Sequence, residues 1–169
     1  MTLPVVVIDG VDGSGKTSIA ASLAVRLGGR YVKAFEGEVG SHIRLLNESG
    51  EKAAAEKLAR HAVQETVIHN ADARLLVFDR HWLSILGYIS ETFAANWQPY
   101  PPTVLVRAAN ERLQQRLQVR GTPRAELDRV GDYARRLDML AARFRVPRLD
   151  TTDLSVEDAV GIIIVSGWI

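Results

Sequence analysis

The stretch Gly10-Val11-Asp12-Gly13-Ser14-Gly15-Lys16-Thr17 constrains this chain more than any other. It matches the spacing G-x-x-x-x-G-K-[ST] in full, a loop whose backbone N–H groups cradle phosphates. Its flanks fit the same reading. Pro4-Val5-Val6-Val7-Ile8 is an uncharged, β-branched run suited to a central strand of a parallel sheet covered on both faces. Ser18 to Leu27 carries apolar residues at helical spacing and stops at Gly28-Gly29. Strand, glycine loop and helix therefore follow one another in the order that phosphate binding requires. Successive N–H groups and the helix N-terminus supply donors and positive potential. Lys16 then reaches the β- and γ-phosphates, and the Thr17 hydroxyl is placed for Mg²⁺. The residues Gly10, Asp12, Gly13, Ser14, Gly15, Lys16, Thr17 and Ser18 are assigned on this basis to ATP and its metal. The bland alternative, a glycine-rich turn that only links strand to helix, is disfavoured by correct context on both sides.

Beyond the loop, strands alternate with helices. Tyr31–Phe35 is expected as a second strand, Arg74–Asp79 as a third, Thr103–Val106 as a fourth and Arg148–Asp150 as a short last one. Helices are expected from a Ser41 cap to about Ser49, from Glu51 to about Asn70, from Trp82 to Ala94, from Asn110 to Val119 and from Ala125 to Phe144. A final helix is capped by Ser155 with Glu157 nearby. Leu58, Val63, Val67 and Ile68 are the expected core side of the long second of these. Asn96 to Pro102 is a proline-stiffened connection, and Gly121-Thr122-Pro123 breaks the helical run. Such alternation predicts a parallel sheet of about five strands with right-handed crossovers. At 169 residues, without repeats or low-complexity tracts, 1–169 is expected to be one α/β domain.

Composition narrows the partners. A formal net charge of +1 offers no global electrostatic case for nucleic acid or a membrane surface. Zero cysteines exclude disulfides, thiolate metal sites and a thiol nucleophile, which fits a cytoplasmic protein. Met1-Thr2-Leu3-Pro4 leads straight into the first strand, leaving no room for a signal peptide. His42, His61, His69 and His81 lack metal-ligand spacing and are expected at the surface or in hydrogen bonds, and Trp82 in the core.

A second signal is Asp79-Arg80-His81-Trp82-Leu83-Ser84-Ile85-Leu86-Gly87-Tyr88. A carboxylate at the C-terminal end of a parallel strand lies in the crevice where such sheets bind ligands. Beside a phosphate loop, Asp79 can hold Mg²⁺ through water or orient the acceptor. Arg80 can fork onto an acceptor phosphate. A surface Asp-Arg pair is the competing reading. A third signal is arginine spacing: Arg112, Arg116 and Arg120 recur every four residues, and Arg124 lies just past the glycine-proline break. A solvated face is the bland account and suffices for Arg112. Arg116, Arg120 and Arg124 flank a break where a lid of about residues 116–126 could hinge, bringing guanidinium groups onto transferring phosphates.

Taken together, these residues resemble the thymidylate kinase family. The resemblance runs through Gly10–Thr17, Gly40-Ser41-His42-Ile43-Arg44-Leu45-Leu46, Arg60, Asp79–Tyr88 and the lid arginines Arg116 and Arg120. It implies a three-layer α/β/α fold of the P-loop kinase type, with Asp12 facing the acceptor sugar and Arg80 its phosphate. It places Arg44 and Ser84 among the acceptor contacts, Tyr88 at the sugar edge and Arg60 near the base. It also implies a homodimer built from helices beside the Asp-Arg motif. Departures cluster at the acceptor. Phe35-Glu36-Gly37-Glu38-Val39-Gly40 replaces an R-E-P-G-G-type segment, Glu56 stands where an aromatic stacks on thymine, and Ile85 follows Ser84 in place of a small polar residue.

The expected activity is Mg²⁺- and ATP-dependent phosphoryl transfer to a small acceptor, foremost a nucleoside monophosphate such as dTMP. Lys16, Arg80, Asp79, Arg116 and Arg120 would be its catalytic groups. One rival is a kinase of a nucleoside or another small hydroxyl compound, which would gain from Asp79 as base. A rival of another class is a non-catalytic or switch-type nucleotide-binding protein. Against a GTPase, the chain has neither an N-K-x-D motif nor a D-x-x-G switch following a strand.

Overall fold

A computed structural model describes residues 3–169, apart from the side chains of Ala125, Glu126 and Asp128. Met1 and Thr2, at the head of the expected leaderless start, lie outside the described residues. β1 (Val5–Asp9), β2 (Arg30–Val32), β3 (Leu76–Asp79), β4 (Thr103–Arg107) and β5 (Arg148–Asp150) form one sheet in the order β2-β3-β1-β4-β5. Every pairing is parallel, with Ile8 beside Asp79 and Val106 beside Leu149. The α/β expectation is met.

The helices are α1 (Lys16–Leu27), α2 (Gly37–Glu48), α3 (Lys52–His69), α4 (Trp82–Tyr88), α5 (Asn110–Val119), α6 (Arg124–Arg143) and α7 (Val156–Val165). Strand alternation splits the core in two. Val6, Ile8, Val77, Val104 and Val106 pack with Ile19, Leu23, Val160 and Ile163 of α1 and α7. Val7, Leu76, Phe78 and Leu105 pack with Ala59, Leu83, Leu86 and Leu137 from the helices of the opposite face. Both layers bury near-continuous β-branched strands, as a doubly covered parallel sheet demands.

Several boundaries differ from expectation. β2 stops at Val32 because it is an edge strand with a short register on β3. α2 starts at Gly37, not at a Ser41 cap; the Ser41 hydroxyl donates back to the Gly37 carbonyl inside the helix. The expected Trp82–Ala94 helix ends at Tyr88, and a 3₁₀ segment, Glu91–Trp97, follows a Ser90 cap. Ile68 is 63% exposed, since α3 turns Ala55, Ala59 and Val63 inward instead. Trp82 lies in the core as expected, stacked on Tyr100. His81 is not at the surface. It is buried edge-on to Phe78 and Trp97.

Candidate active site

The glycine loop leaves β1 and enters α1 as the sequence predicts. At Gly10 a side chain would collide with the Val106 carbonyl and, at 2.8 Å, with the Ser14 hydroxyl, so the loop lies directly against β4. The N-terminus of α1 is capped by Gly15 without a side-chain acceptor, leaving its first-turn N–H groups for a ligand. The loop is braced from behind. Thr151 donates its hydroxyl toward the Ser14 carbonyl at 2.7 Å, and Arg116 donates to the carbonyls of Gly13 at 3.0 Å and Thr151 at 3.3 Å.

Lys16 lies with its Nζ 3.2 Å from Asp12 Oδ1, and Arg80 donates to the same oxygen at 2.6 Å. Burial, then the Arg80 charge, lower the Lys16 ammonium, while Asp12 and Asp79 pull it back up. Asp12 is pulled both ways: burial raises its carboxyl, but the charges of Arg80 and Lys16 outweigh that and hold it below the usual carboxylate range.

The end of β3 completes the phosphate side. Thr17 donates to Asp79 Oδ2 at 2.6 Å, and the Tyr31 hydroxyl donates to that oxygen at 3.1 Å. Asp79 Oδ1 is buried without a partner among the described residues. An orphaned carboxylate oxygen beside a threonine hydroxyl, both hard donors at the mouth of a phosphate loop, fits Mg²⁺ held directly or through water.

The other side is a cavity of about 960 Å³. Arg44, Arg80, Arg120, Arg129 and Arg136 line it, against Asp12, Glu48 and Asp132, with Phe35, Ile43, Ile85 and Tyr88 as apolar wall. Arg80 occupies φ +73, a conformation that costs a non-glycine residue about 1–2 kcal/mol and persists only where neighbours hold it. Its Nε is buried without a partner among the described residues. Charge-bearing donors of that kind are matched by an anionic ligand.

The structure thus gathers Asp12, Arg44, Arg80, Ser84, Tyr88 and Arg120 around one cavity. Gly10, Gly13, Ser14, Gly15, Lys16, Thr17 and Asp79 are not among its lining residues; Asp12, which lines it and holds both Lys16 and Arg80, links them to it. Ser18 is exposed in the first turn of α1. Arg116 holds the main-chain carbonyls of Gly13 and Thr151 and is not itself among the residues that line the cavity. Arg124 is exposed at the start of α6 and does not line the cavity. Arg60 does not reach it either: it is tied at 2.7 Å to Glu56, a carboxylate that is itself buried. The expected lid spans the end of α5, the break and the start of α6; the side chains of Ala125 and Glu126 within it lie outside the described residues.

Sequence reasoning passed over Asp9, Tyr31, Arg129, Tyr133 and Arg136. Helical spacing offered a signal for the last three, since Arg129, Tyr133 and Arg136 fall on one face of α6. Asp9, a charge closing an apolar strand as Asp79 does, was equally visible.

No protein-family model and no curated protein matches the sequence. Solved structures do match its shape. Deoxyadenosine kinase from M. mycoides with bound dATP shares a TM-score of 0.66 at 13% identity, over 96% of this chain and 98% of that one. The same kinase with the products dCMP and dCDP bound gives 0.61 at 14% identity, over 96% and 97%. TT1252 from Thermus thermophilus gives 0.66 at 17% identity, over 99% and 97%. The five-stranded parallel sheet between helix layers is therefore an α/β fold shared, end to end, with deoxyadenosine kinase from M. mycoides and TT1252.

Proposed function

We propose that this chain is a phosphotransferase that moves the γ-phosphoryl group of ATP, with Mg²⁺, onto a small acceptor, and that the acceptor is a nucleoside monophosphate, with dTMP the first candidate. Arg80, strained and aimed into a cavity ringed by further arginines, is the observation that carries this reading. A monophosphate is already ionised and asks for charge neutralisation and alignment more than for a base.

The residues divide the work accordingly. The loop N–H groups, the α1 N-terminus and Lys16 hold and polarise the donor phosphates. Thr17 and Asp79 would hold Mg²⁺, which supplies charge neutralisation on the donor. Arg80 fixes the acceptor phosphate in line, and Asp12 keeps Arg80 and Lys16 together at the junction. Arg120 joins from the wall of the cavity as the lid arginine.

A second reading, transfer to the hydroxyl of a nucleoside, is favoured by the activity named for the deoxyadenosine kinase neighbours. Asp79, the base that reading would use, already accepts the Thr17 and Tyr31 hydroxyls and would hold Mg²⁺ instead. Asp12 serves that reading poorly, since a carboxyl held low by two cations is a weak base. ADP release from ATP and Mg²⁺ against dTMP, dUMP, the other deoxynucleotides, the ribonucleotides and free nucleosides tests the proposal. Turnover with monophosphates is expected. Silence with all of them, alongside turnover with any nucleoside, would transfer the site to the second reading; ATP binding without any turnover would leave a nucleotide-binding protein.

A further inference from the structure

Two strands that lie side by side, β1 and β3, each end in a carboxylate, yet the two point to opposite faces of the sheet. Asp79 continues the row of Val77 toward α1, whereas Asp9 continues the row of Val7 toward α4. Asp9 is fully buried. It accepts the Ser84 hydroxyl and the backbone N–H groups of His81 and Ser84, each of these last two at 3.3 Å. Those donors all follow Arg80 immediately, in the turn that opens α4. Arg80 itself donates its N–H to the Ile8 carbonyl at 3.0 Å, one residue before Asp9.

The turn is held from the far side too. Tyr133 of α6 donates its hydroxyl to the Ser84 carbonyl at 3.0 Å. α6 reaches that close because position 87 is glycine: a β-carbon there would stand 2.7 Å from Leu137 Cδ2 and 3.1 Å from Tyr133 Cε2. Burial pushes the Asp9 carboxyl up, and its bonds to Ser84 and the Arg80 charge pull it partly back. A buried carboxylate with this donor set binds a turn tightly while ionised and loses an acceptor on protonation.

We propose that Asp9 is a positioning residue for the phosphate acceptor: its carboxylate bolts the 81–84 turn to the end of β1, and with Tyr133 it holds Arg80 in the left-handed conformation that directs the guanidinium into the cavity. The proposal rests on the reading of Arg80 as the acceptor-phosphate contact. It also makes α6, the helix that leaves the lid break, a direct support of the acceptor site.

Asp9→Asn in the full chain, studied by amide hydrogen exchange and steady-state kinetics, is the test. Exchange of the 80–84 amides is expected to quicken by about tenfold or more, with the α1 amides unchanged. The acceptor KM is expected to rise by about tenfold or more, and the ATP KM to stay within about twofold. The acceptor KM of the variant should also lose the acid-side pH dependence contributed by Asp9. Should Asp9→Asn not fold, Ser84→Ala removes one donor and leaves the carboxylate in place; Ser84→Thr should then restore part of the acceptor KM. Unchanged exchange at 80–84, or acceptor and ATP constants that worsen together with exchange throughout the chain, overturns the proposal. If wild type uses no monophosphate, the proposed acceptor falls, and the exchange experiment still decides whether Asp9 holds the turn.

Discussion

The phosphate-loop side and the acceptor side of this site are built differently. On the loop side, ligand groups already hold one another: Thr17 on Asp79, Lys16 on Asp12, Arg116 and Thr151 on loop carbonyls. The acceptor side is an open cavity whose central arginine is strained and incompletely bonded among the described residues. The first arrangement suits the triphosphate of the proposed donor, gripped by main chain. The second suits a separate acceptor, since most of its wall comes from α2, α4 and α6, with Asp12 the loop residue that reaches it.

That contrast can be broken at each end. The largest effect on turnover is expected for Lys16→Ala, which removes the cation that neutralises the transferring group. kcat should fall by about 10²–10³-fold, or about 3–4 kcal/mol, with stability preserved, and rapid-quench kinetics would check it. Full activity in that variant would remove the loop from the chemistry.

Next comes a stability effect on the acceptor side. Burial holds His81 down to about 3 in the folded protein, below its ordinary 6.5. The unfolded chain therefore takes up a proton below pH 6.5 that the folded chain refuses until about pH 3. Stability from this residue is complete above pH 6.5 and is lost as the pH falls toward 3, by on the order of 5 kcal/mol in full. Denaturant titrations at several pH values should show a shallower acid slope for His81→Phe than for wild type; equal slopes would contradict the assignment.

Arg80→Ala sharpens the comparison further. The acceptor KM should rise by about 10–100-fold, matching a lost charge-assisted contact of about 1.5–3 kcal/mol, while the ATP KM moves little. Equal losses on both substrates would merge the two sides into one. The smallest effect is expected for Tyr31→Phe, which strips one hydroxyl from Asp79. A few-fold shift in the Mg²⁺ concentration for half-maximal rate, about 1 kcal/mol or less, is expected without change in the acceptor KM.

The same division explains what could be read from the sequence. Gly10–Thr17 is contiguous and its flanks are local, so its strand, loop and helix were legible from spacing alone. Asp79 and Arg80 were legible because strand ends in parallel sheets face ligands. The acceptor walls were harder. Arg60 has the right residue type, but α3 spends it on Glu56, a pairing visible as an i,i+4 spacing and outweighed by the resemblance. Arg116 lies on the expected helix face, yet it supports the loop from behind. Asp9 meets Ser84 from far along the chain, and only the fold brings them together. The shortened β2 and α4 were lost for the related reason that their ends are set by neighbouring elements rather than by their own residues.

The central claim, that the acceptor side is built for a phosphate, is tested most directly by competition. Equal concentrations of dTMP and thymidine, offered together with ATP and Mg²⁺ and followed by mass spectrometry, set a phosphate acceptor against a hydroxyl one in the same tube. Accumulation of dTDP with thymidine left unconsumed is expected, and a fall in dTDP alone on Arg80→Ala. Thymidine consumed while dTMP receives no phosphate would contradict it.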